Sequence, residues 1–191
     1  MPTMKKCDCL LCKFENPKPT ATAIVIKDQK LLLAKRAIEP FRGKWDFIGG
    51  YLNKDETPKE TLKREIKEEF GVDSKLTFLG AFSGYTSFKG FGFPVVSFAY
   101  LTELVGKIKV DQKENSKISW APIKKVKSIA FDSNMKILKF VKEKFMFDIK
   151  GLRKLVNQLD PTAYVNEQSI YKATLDGYVS KIENDGKLIG M

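Results

Sequence analysis

The chain has 191 residues, of which 43% are hydrophobic and 30% charged, a composition that suits one sizeable core with a small extra element. Its 34 basic and 23 acidic residues leave a net charge of +11, which favours polyanionic ligands or serves solubility alone. No apolar run reaches the length of a membrane span, and the N-terminus lacks a secretory hydrophobic region. We therefore expect a cytoplasmic protein without membrane contacts.

Strand and helix signals outline an α/β fold. Candidate strands, rich in β-branched and aromatic residues, are residues 21–26, 30–35, 76–85, 94–102, 107–110 and 117–120. Asp28-Gln29 predicts a hairpin turn between the first two strands. Residues 87–93 predict a glycine-broken aromatic loop that either stacks on a nucleobase or shields the sheet. A helix capped by Ser133 and ending near Phe145 completes a mixed sheet between helices.

The clearest helix signal lies between the second and third strands. Thr57 is a good N-cap, Pro58 suits the first helical position, and Glu60 stands three residues later, as in a capping box. Gly71 supplies the C-terminal stop. At about 100° per residue, the apolar residues of this segment form a narrow stripe that should face a core. They are Leu62, Ile66 and Phe70.

Three carboxylates of the same helix, those of Glu65, Glu68 and Glu69, flank this stripe on one side. Like charges three and four residues apart repel each other. A bound Mg²⁺ or Mn²⁺ would remove that repulsion, because hard cations prefer carboxylate oxygens and often take substrate phosphates as further ligands. The alternative is a solvated helix whose glutamates pair with neighbouring lysines. Charge pattern alone favours this alternative.

The wider spacing favours the metal site. Gly50 is followed after five residues by Glu56, then after seven by Arg64-Glu65-Ile66, and the segment continues with Glu68-Glu69 and Gly71-Val72. This pattern matches every fixed position of the Nudix box, so the chain resembles a Nudix hydrolase over about residues 15–145. Members of that family hydrolyse nucleoside diphosphates linked to another moiety. The resemblance implies the Nudix α/β/α sandwich as the fold.

The resemblance also implies roles for the box residues. Glu65, Glu68 and Glu69 correspond to the box glutamates, of which the first and last are the usual metal ligands. Which of them deprotonates the attacking water varies within the family. Arg64 corresponds to the arginine that orients these carboxylates by ion pairing. The chain has no histidine, so the general base must be a carboxylate or a metal-bound hydroxide.

Further site residues lie outside the helix. By the same resemblance, Glu56 packs the loop against the helix and contacts the metal through water, and the carbonyl of Gly49 is a further ligand. Glu114, six residues before Trp120, is expected to complete the metal site or to act in catalysis. Ile48 stands where many relatives have proline, which puts the loop geometry and substrate fit in doubt rather than the activity.

The two ends of the chain lie outside this pattern. Residues 1–16 form an N-terminal segment with all three cysteines, residues 17–147 the Nudix-like domain, and residues 148–191 an extension. The cysteines, which resemble one knuckle of a zinc ribbon, are Cys7, Cys9 and Cys12. Zinc usually needs four ligands, so we expect a reduced remnant rather than an intact zinc site.

The C-terminal extension predicts two helices and a hairpin, a small α+β element. Its order weakly resembles the first half of an acyltransferase fold of the GNAT type, but the glycine-rich loop for acetyl-CoA is absent. We expect no acyl transfer. Packing on the main domain or formation of a homodimer are the roles left open for this segment.

Two functions of different classes remain at this point. The first is a metal-dependent pyrophosphohydrolase for a small nucleotide such as ADP-ribose, a dinucleotide or a nucleoside triphosphate. The second is a non-catalytic Nudix-like sensor that binds a nucleotide and controls a partner. The intact box glutamates favour the enzyme. No array of aromatic and basic residues indicates single-strand nucleic-acid binding.

Overall fold

The computed structural model describes residues 14, 16–88, 90–109 and 115–146. The strands are β1 (Lys18–Ile24), β2 (Ile26–Lys27), β3 (Lys30–Arg36), β4 (Trp45–Asp46), β5 (Ile48–Tyr51), β6 (Asp73–Phe88), β7 (Phe91–Val105) and β8 (Asn115–Pro122). The helices are α1 (Pro58–Phe70) and α2 (Asp132–Phe145), with a 3-10 turn at Ile123–Lys125. The predictions for Cys7, Cys9, Cys12, Glu114 and residues 148–191 lie outside the described residues.

The strands form two four-stranded sheets, where the sequence predicted one mixed sheet. The first sheet has the order β5-β1-β7-β6 and is mixed, because β1 runs parallel to β7 and the other pairs are antiparallel. In the second sheet β3 lies between β8 and the neighbours β2 and β4. The chain passes from one sheet to the other at Val25, which separates β1 from β2.

The two helices cover opposite faces of the strands. Ile24 and Ile26 belong to the apolar cluster that contains the buried residues of α2, whereas Ala23 and Val25 belong to the cluster under α1. Since neighbouring side chains of a strand point to opposite faces, the first strands are buried on both sides. The expected α/β/α layering is therefore confirmed. Among the described residues, no helix is long and apolar enough to cross a membrane.

The helix α1 begins and ends as predicted. The side chain of Thr57 accepts a hydrogen bond from the backbone N–H of Glu60, and the carboxylate of Glu60 accepts one from the backbone N–H of Thr57. Gly71 terminates the helix in the left-handed conformation, with φ 67°. Leu62 and Ile66 are fully buried, so the predicted apolar stripe faces the core.

The aromatic segment 87–93 differs from its prediction as a loop. The strands β6 and β7 pair along their whole length, up to the Ser87↔Gly92 and Phe88↔Phe91 partners. Aromatic residues favour extended backbone, and the glycine at position 92 leaves room for the Tyr85 side chain, which a Cβ there would overlap. The glycines thus serve the hairpin instead of breaking it.

Two other predictions differ from the structure. The described part of the predicted strand 107–110, residues 107–109, forms no strand, and the Lys109 N–H donates instead to the carbonyl of Phe70, the last residue of α1, at 2.9 Å. Ser133 is not the cap of α2, which begins at Asp132 after Phe131. The start of this helix is fixed by tertiary contacts, since a Cβ on Gly84 would come within 2.6 Å of the Ser133 backbone nitrogen.

Candidate active site

Arg64 is the centre of a carboxylate network on α1. Its Nε and Nη2 atoms donate to the two carboxylate oxygens of Glu56 at 2.7 and 3.0 Å. Its Nη1 atom donates to Glu65 at 2.7 Å and to Glu68 at 3.1 Å. These bonds hold the pKa of Glu56 far below its usual range and raise that of Arg64. One guanidinium therefore orients three carboxylates, as its planar fork of donors allows.

Glu56 also closes the loop that precedes α1. Its carboxylate accepts hydrogen bonds from the backbone N–H of Asn53 at 3.1 Å and from the hydroxyl of Thr61 at 2.9 Å. The Nη2 atom of Arg64 additionally donates to the carbonyl of Tyr51 at 3.3 Å. The loop from β5 to α1 is thus tied to the helix at both ends, which is the packing expected for Glu56.

The three box glutamates differ in burial. Glu69 is 6% exposed, and the side chains of Glu65 and Glu68 are 12% and 60% exposed. A Cβ on Gly50 would overlap the Glu65 carboxylate, so this carboxylate lies directly on the backbone of β5. Gly49 has φ +153°, and a Cβ there would overlap the Ala21 carbonyl of β1. The paired glycines therefore permit close packing on both sides of β5.

Of these groups, Arg64, the three box glutamates and the paired glycines line one cleft of about 420 Å³, whereas Glu56 is not among its lining residues. The predicted site residues that line the cleft belong to α1 and β5, and Gly50 lines it beside them; they are Gly49, Arg64, Glu65, Glu68 and Glu69. Further lining residues come from β1, the end of β3 and the segment after it, β4, β6, β7 and the start of α2, and include Thr22, Arg36, Ile38, Asp46, Phe131, Ser133 and Asn134. A cleft of this size and mixed polarity is typical of a small-molecule site.

The carboxylate and carbonyl oxygens at the α1 end of the cleft are chemically suited to bind a hard divalent cation. Carboxylate and backbone carbonyl oxygens are the ligands that Mg²⁺ and Mn²⁺ prefer. Within the described ranges, however, no three acidic or thiol side chains already stand in a metal-holding arrangement. Two of the carboxylates, those of Glu65 and Glu68, are bound to Arg64 instead. A cation would therefore have to draw the carboxylates together.

Three other lining residues, Thr22, Asp46 and Asn134, form a buried polar cluster with Ser97 that the sequence analysis did not identify. The Nδ2 atom of Asn134 donates to Oδ1 of Asp46 at 2.7 Å. Thr22 donates to Oδ1 of Asn134 at 3.4 Å and shares a 2.7 Å hydrogen bond with the hydroxyl of Ser97. These four side chains are at most 7% exposed. The signal available in the sequence was the position of Asp46, an acidic residue between the apolar residues Trp45 and Phe47.

Arg36 joins this cluster at the cleft. Its Nη1 atom lies 3.9 Å from Oδ2 of Asp46, and its Nε atom donates to the carbonyl of Pro40 at 2.7 Å. Its guanidinium carbon lies 4.8 Å from the centre of the Phe131 ring, within the range of a cation–π contact. The sequence analysis gave Arg36 no role in the site.

This buried arrangement disfavours the charged form of Asp46. Burial raises its pKa to about 6, against the opposing effects of Asn134 and Arg36. The folded protein therefore retains this proton up to about pH 6, whereas the unfolded chain releases it near 3.8. Stability from this group is complete below the unfolded value and is lost as the pH rises through 6. The loss at pH 7 is about 3 kcal/mol.

We therefore expect Asp46→Asn to stabilise the protein at pH 7 by about 1–2 kcal/mol, since an amide still accepts from Asn134 but its N–H₂ faces Arg36 less favourably. The gain should vanish near pH 4. Urea unfolding of both proteins between pH 4 and 8 measures it. The gain should grow between about pH 4 and 6, where the unfolded chain has released the Asp46 proton and the folded protein retains it, and should stay constant at higher pH. A gain independent of pH would contradict this account.

Comparison with known proteins identifies the family. The family profile of the NUDIX domain matches residues 16–142. The chain is 39% identical to an ADP-ribose pyrophosphatase of Methanocaldococcus jannaschii over 71 residues, which are 37% of this chain and 42% of that protein. It is 28% identical to the NAD-capped RNA hydrolase NudC of Vibrio atlanticus over 126 residues, 64% of this chain and 44% of that protein. The matches thus span less than half the length of these two curated relatives.

The fold agrees with this match. A MutT NUDIX hydrolase from Burkholderia pseudomallei superimposes with a TM-score of 0.58 at 23% identity, covering 65% of this chain and 98% of that structure. The profile match, the complete box on α1 and the layered fold together show that this chain belongs to the Nudix hydrolase family. The family resemblance expected from the sequence is therefore confirmed. Divalent metals are the general cofactors of this family.

Proposed function

We propose that this protein is a metal-dependent pyrophosphohydrolase that cleaves a nucleoside diphosphate linked to another moiety. The observation that carries this proposal is that Glu65, Glu68 and Glu69 of the box line the same cleft as the glycine backbone of β5. The name of the Methanocaldococcus relative supports ADP-ribose or a similar small nucleotide as the substrate. A nucleic acid or a membrane is not part of the proposal.

The residues have separate parts in this reaction. Glu65 and Glu69 would hold Mg²⁺ or Mn²⁺, with Glu68, the Gly49 carbonyl and Glu114 as further ligands and with Glu56 contacting an ion through water. When bound, the metal polarises a phosphoryl oxygen, lowers the pKa of bound water and neutralises the leaving phosphate. A box carboxylate or Glu114 would accept the proton of the attacking water.

Arg64 would act beside the reaction rather than in it. Its bonds to Glu56, Glu65 and Glu68 limit the motions of these side chains before a ligand enters. Preorganisation of this kind lowers the reorganisation needed at the moment of reaction. When an ion draws Glu65 and Glu68 together, the contacts to Glu56 are expected to remain and to keep the guanidinium near them.

A substrate panel tests the proposed function. Purified protein with Mg²⁺ or Mn²⁺ is incubated with ADP-ribose, NADH, dinucleoside polyphosphates and ordinary or oxidised nucleoside triphosphates. We expect at least one to be hydrolysed at its pyrophosphate linkage, giving a nucleotide and a phosphorylated second product, and chelation by EDTA to stop the reaction. Binding of a panel member without turnover would favour the alternative function, a nucleotide sensor. Turnover that persists in EDTA would contradict the metal-dependent mechanism.

A further inference from the structure

Asp46 is a charged residue that the proposed hydrolysis does not use. It lies on β4, is 3% exposed, and lines the same cleft as the box glutamates of α1. Burial of a carboxylate disfavours its charged form, so an apolar residue at this place would stabilise the fold more easily. Stability therefore does not explain why an aspartate occupies this position, and the contacts of Asp46 indicate another role.

Those contacts join two cleft-lining residues from different parts of the chain. Oδ1 of Asp46 accepts from Asn134 in the first turn of α2 at 2.7 Å, and Oδ2 faces Arg36 at the end of β3 at 3.9 Å. Asp46 also accepts a hydrogen bond from the backbone N–H of Phe47. One carboxylate thus sets the spacing between a guanidinium and an amide on the same wall.

Each of the two residues is also fixed from a second side. The carbonyl oxygen of Asn134 accepts from Thr22 of β1 at 3.4 Å, which determines which end of the amide faces Asp46. Arg36 donates to the Pro40 carbonyl at 2.7 Å and lies on the ring of Phe131. The wall is therefore formed before any ligand binds. The guanidinium of Arg36 lines a cleft that is proposed to bind phosphates.

We propose that Asp46 is a positioning residue for nucleotide binding, which holds Arg36 and Asn134 as a preformed polar wall in the cleft that the box carboxylates also line. Fixing a guanidinium beforehand lowers the entropy lost when it binds a phosphate group. The effect of Asp46 should fall on ligand affinity rather than on the chemical step. The ligand class rests on the proposed function.

The test compares Asp46→Asn, Asn134→Asp and the double variant that carries both changes. Asp46→Asn removes the charge facing Arg36 but keeps an acceptor for Asn134. Asn134→Asp places two carboxylates at hydrogen-bond distance, and the double variant restores an amide–carboxylate pair with the donor reversed. Asp73→Asn is the matched control, because Asp73 is 79% exposed in a surface ion pair with Lys67.

Two readouts are used on the full chain: titration calorimetry with ADP and Mg²⁺, and steady-state kinetics on the best substrate of the panel. We expect Asp46→Asn to raise the Kd for ADP and the KM about tenfold, with kcat within about a factor of two. The same variant should be more stable than the parent at pH 7. A role in folding alone would not combine higher stability with weaker binding.

Asn134→Asp should weaken ADP binding more than Asp46→Asn, and the double variant should recover at least about fivefold of that loss. Equal ADP affinity in Asp46→Asn and Asp73→Asn would overturn the inference, as would a fall in kcat at constant KM or a double variant no better than Asn134→Asp. ADP binding without turnover of any panel member would remove the proposed catalytic function and leave the inference standing. A parent chain that binds no ADP would overturn the inference.

Discussion

Glu69→Gln should reduce hydrolysis of the best substrate on the order of 10³-fold while the protein remains folded. Glu69 lines the cleft on the same face of α1 as Glu65, one helical turn away, and is 6% exposed. The amide keeps the shape of the side chain but removes the negative charge that a divalent cation requires. The loss should appear mainly in kcat, because metal chemistry stabilises the transition state more than the bound substrate.

The measurement is kcat and KM in saturating Mg²⁺, with circular dichroism as the check on folding. Glu143→Gln is the matched control, since Glu143 is an exposed glutamate on the other helix, α2. It should leave both constants within about a factor of two. Equal turnover by Glu69→Gln and the parent would contradict the assignment of Glu69 to the reaction.

Arg64→Ala should lower activity about 100-fold and stability by about 1–2 kcal/mol. The change leaves the carboxylates of Glu56, Glu65 and Glu68 without their shared cation, so they repel one another and lose their orientation. The stability loss is kept modest because the Arg64 side chain is 28% exposed and water screens part of the interaction. Mg²⁺ should restore part of that stability, because it supplies the positive charge that Arg64 otherwise provides to these carboxylates.

Arg64→Lys separates charge from geometry. A lysine keeps the positive charge but cannot donate to both oxygens of Glu56 while also reaching Glu65. We expect activity between those of the parent and Arg64→Ala, measured by kcat/KM, with thermal unfolding in the presence and absence of Mg²⁺. Arg42→Ala, at an exposed position, is the control for loss of one arginine. Full activity of Arg64→Lys would show that only the charge matters.

The sequence predicted α1 and the common side of its three glutamates because their determinants are local. The capping box of Thr57 and Glu60, the stop at Gly71 and the apolar stripe all depend on residues within a few turns of each other. The same is true of the Arg64 contacts, since Glu65 and Glu68 are its neighbours on the helix. Fixed spacing within one helix translates directly into a shared face.

The polar cluster of Asp46 and Asn134 was not predictable in the same way. Asp46 and Asn134 are 88 positions apart, and only the packing of α2 against the strands brings them together. The start of α2 was misplaced for a related reason, because contacts with Gly84 and Tyr85 of β6 fix it rather than a local cap. Segment 87–93 was interpreted as a loop because its glycines were weighed without the cross-strand partners that accommodate them.

Binding of Mn²⁺ to the 191-residue chain tests the central claim, that the box carboxylates form a metal site. Electron paramagnetic resonance measures free Mn²⁺ during a titration of the parent and of Glu69→Gln, each with and without ADP. We expect the parent to bind Mn²⁺, more tightly with ADP present, and Glu69→Gln to bind it at least about tenfold more weakly. Equal Mn²⁺ affinity in the two proteins, or no binding by the parent even with ADP, would contradict the claim.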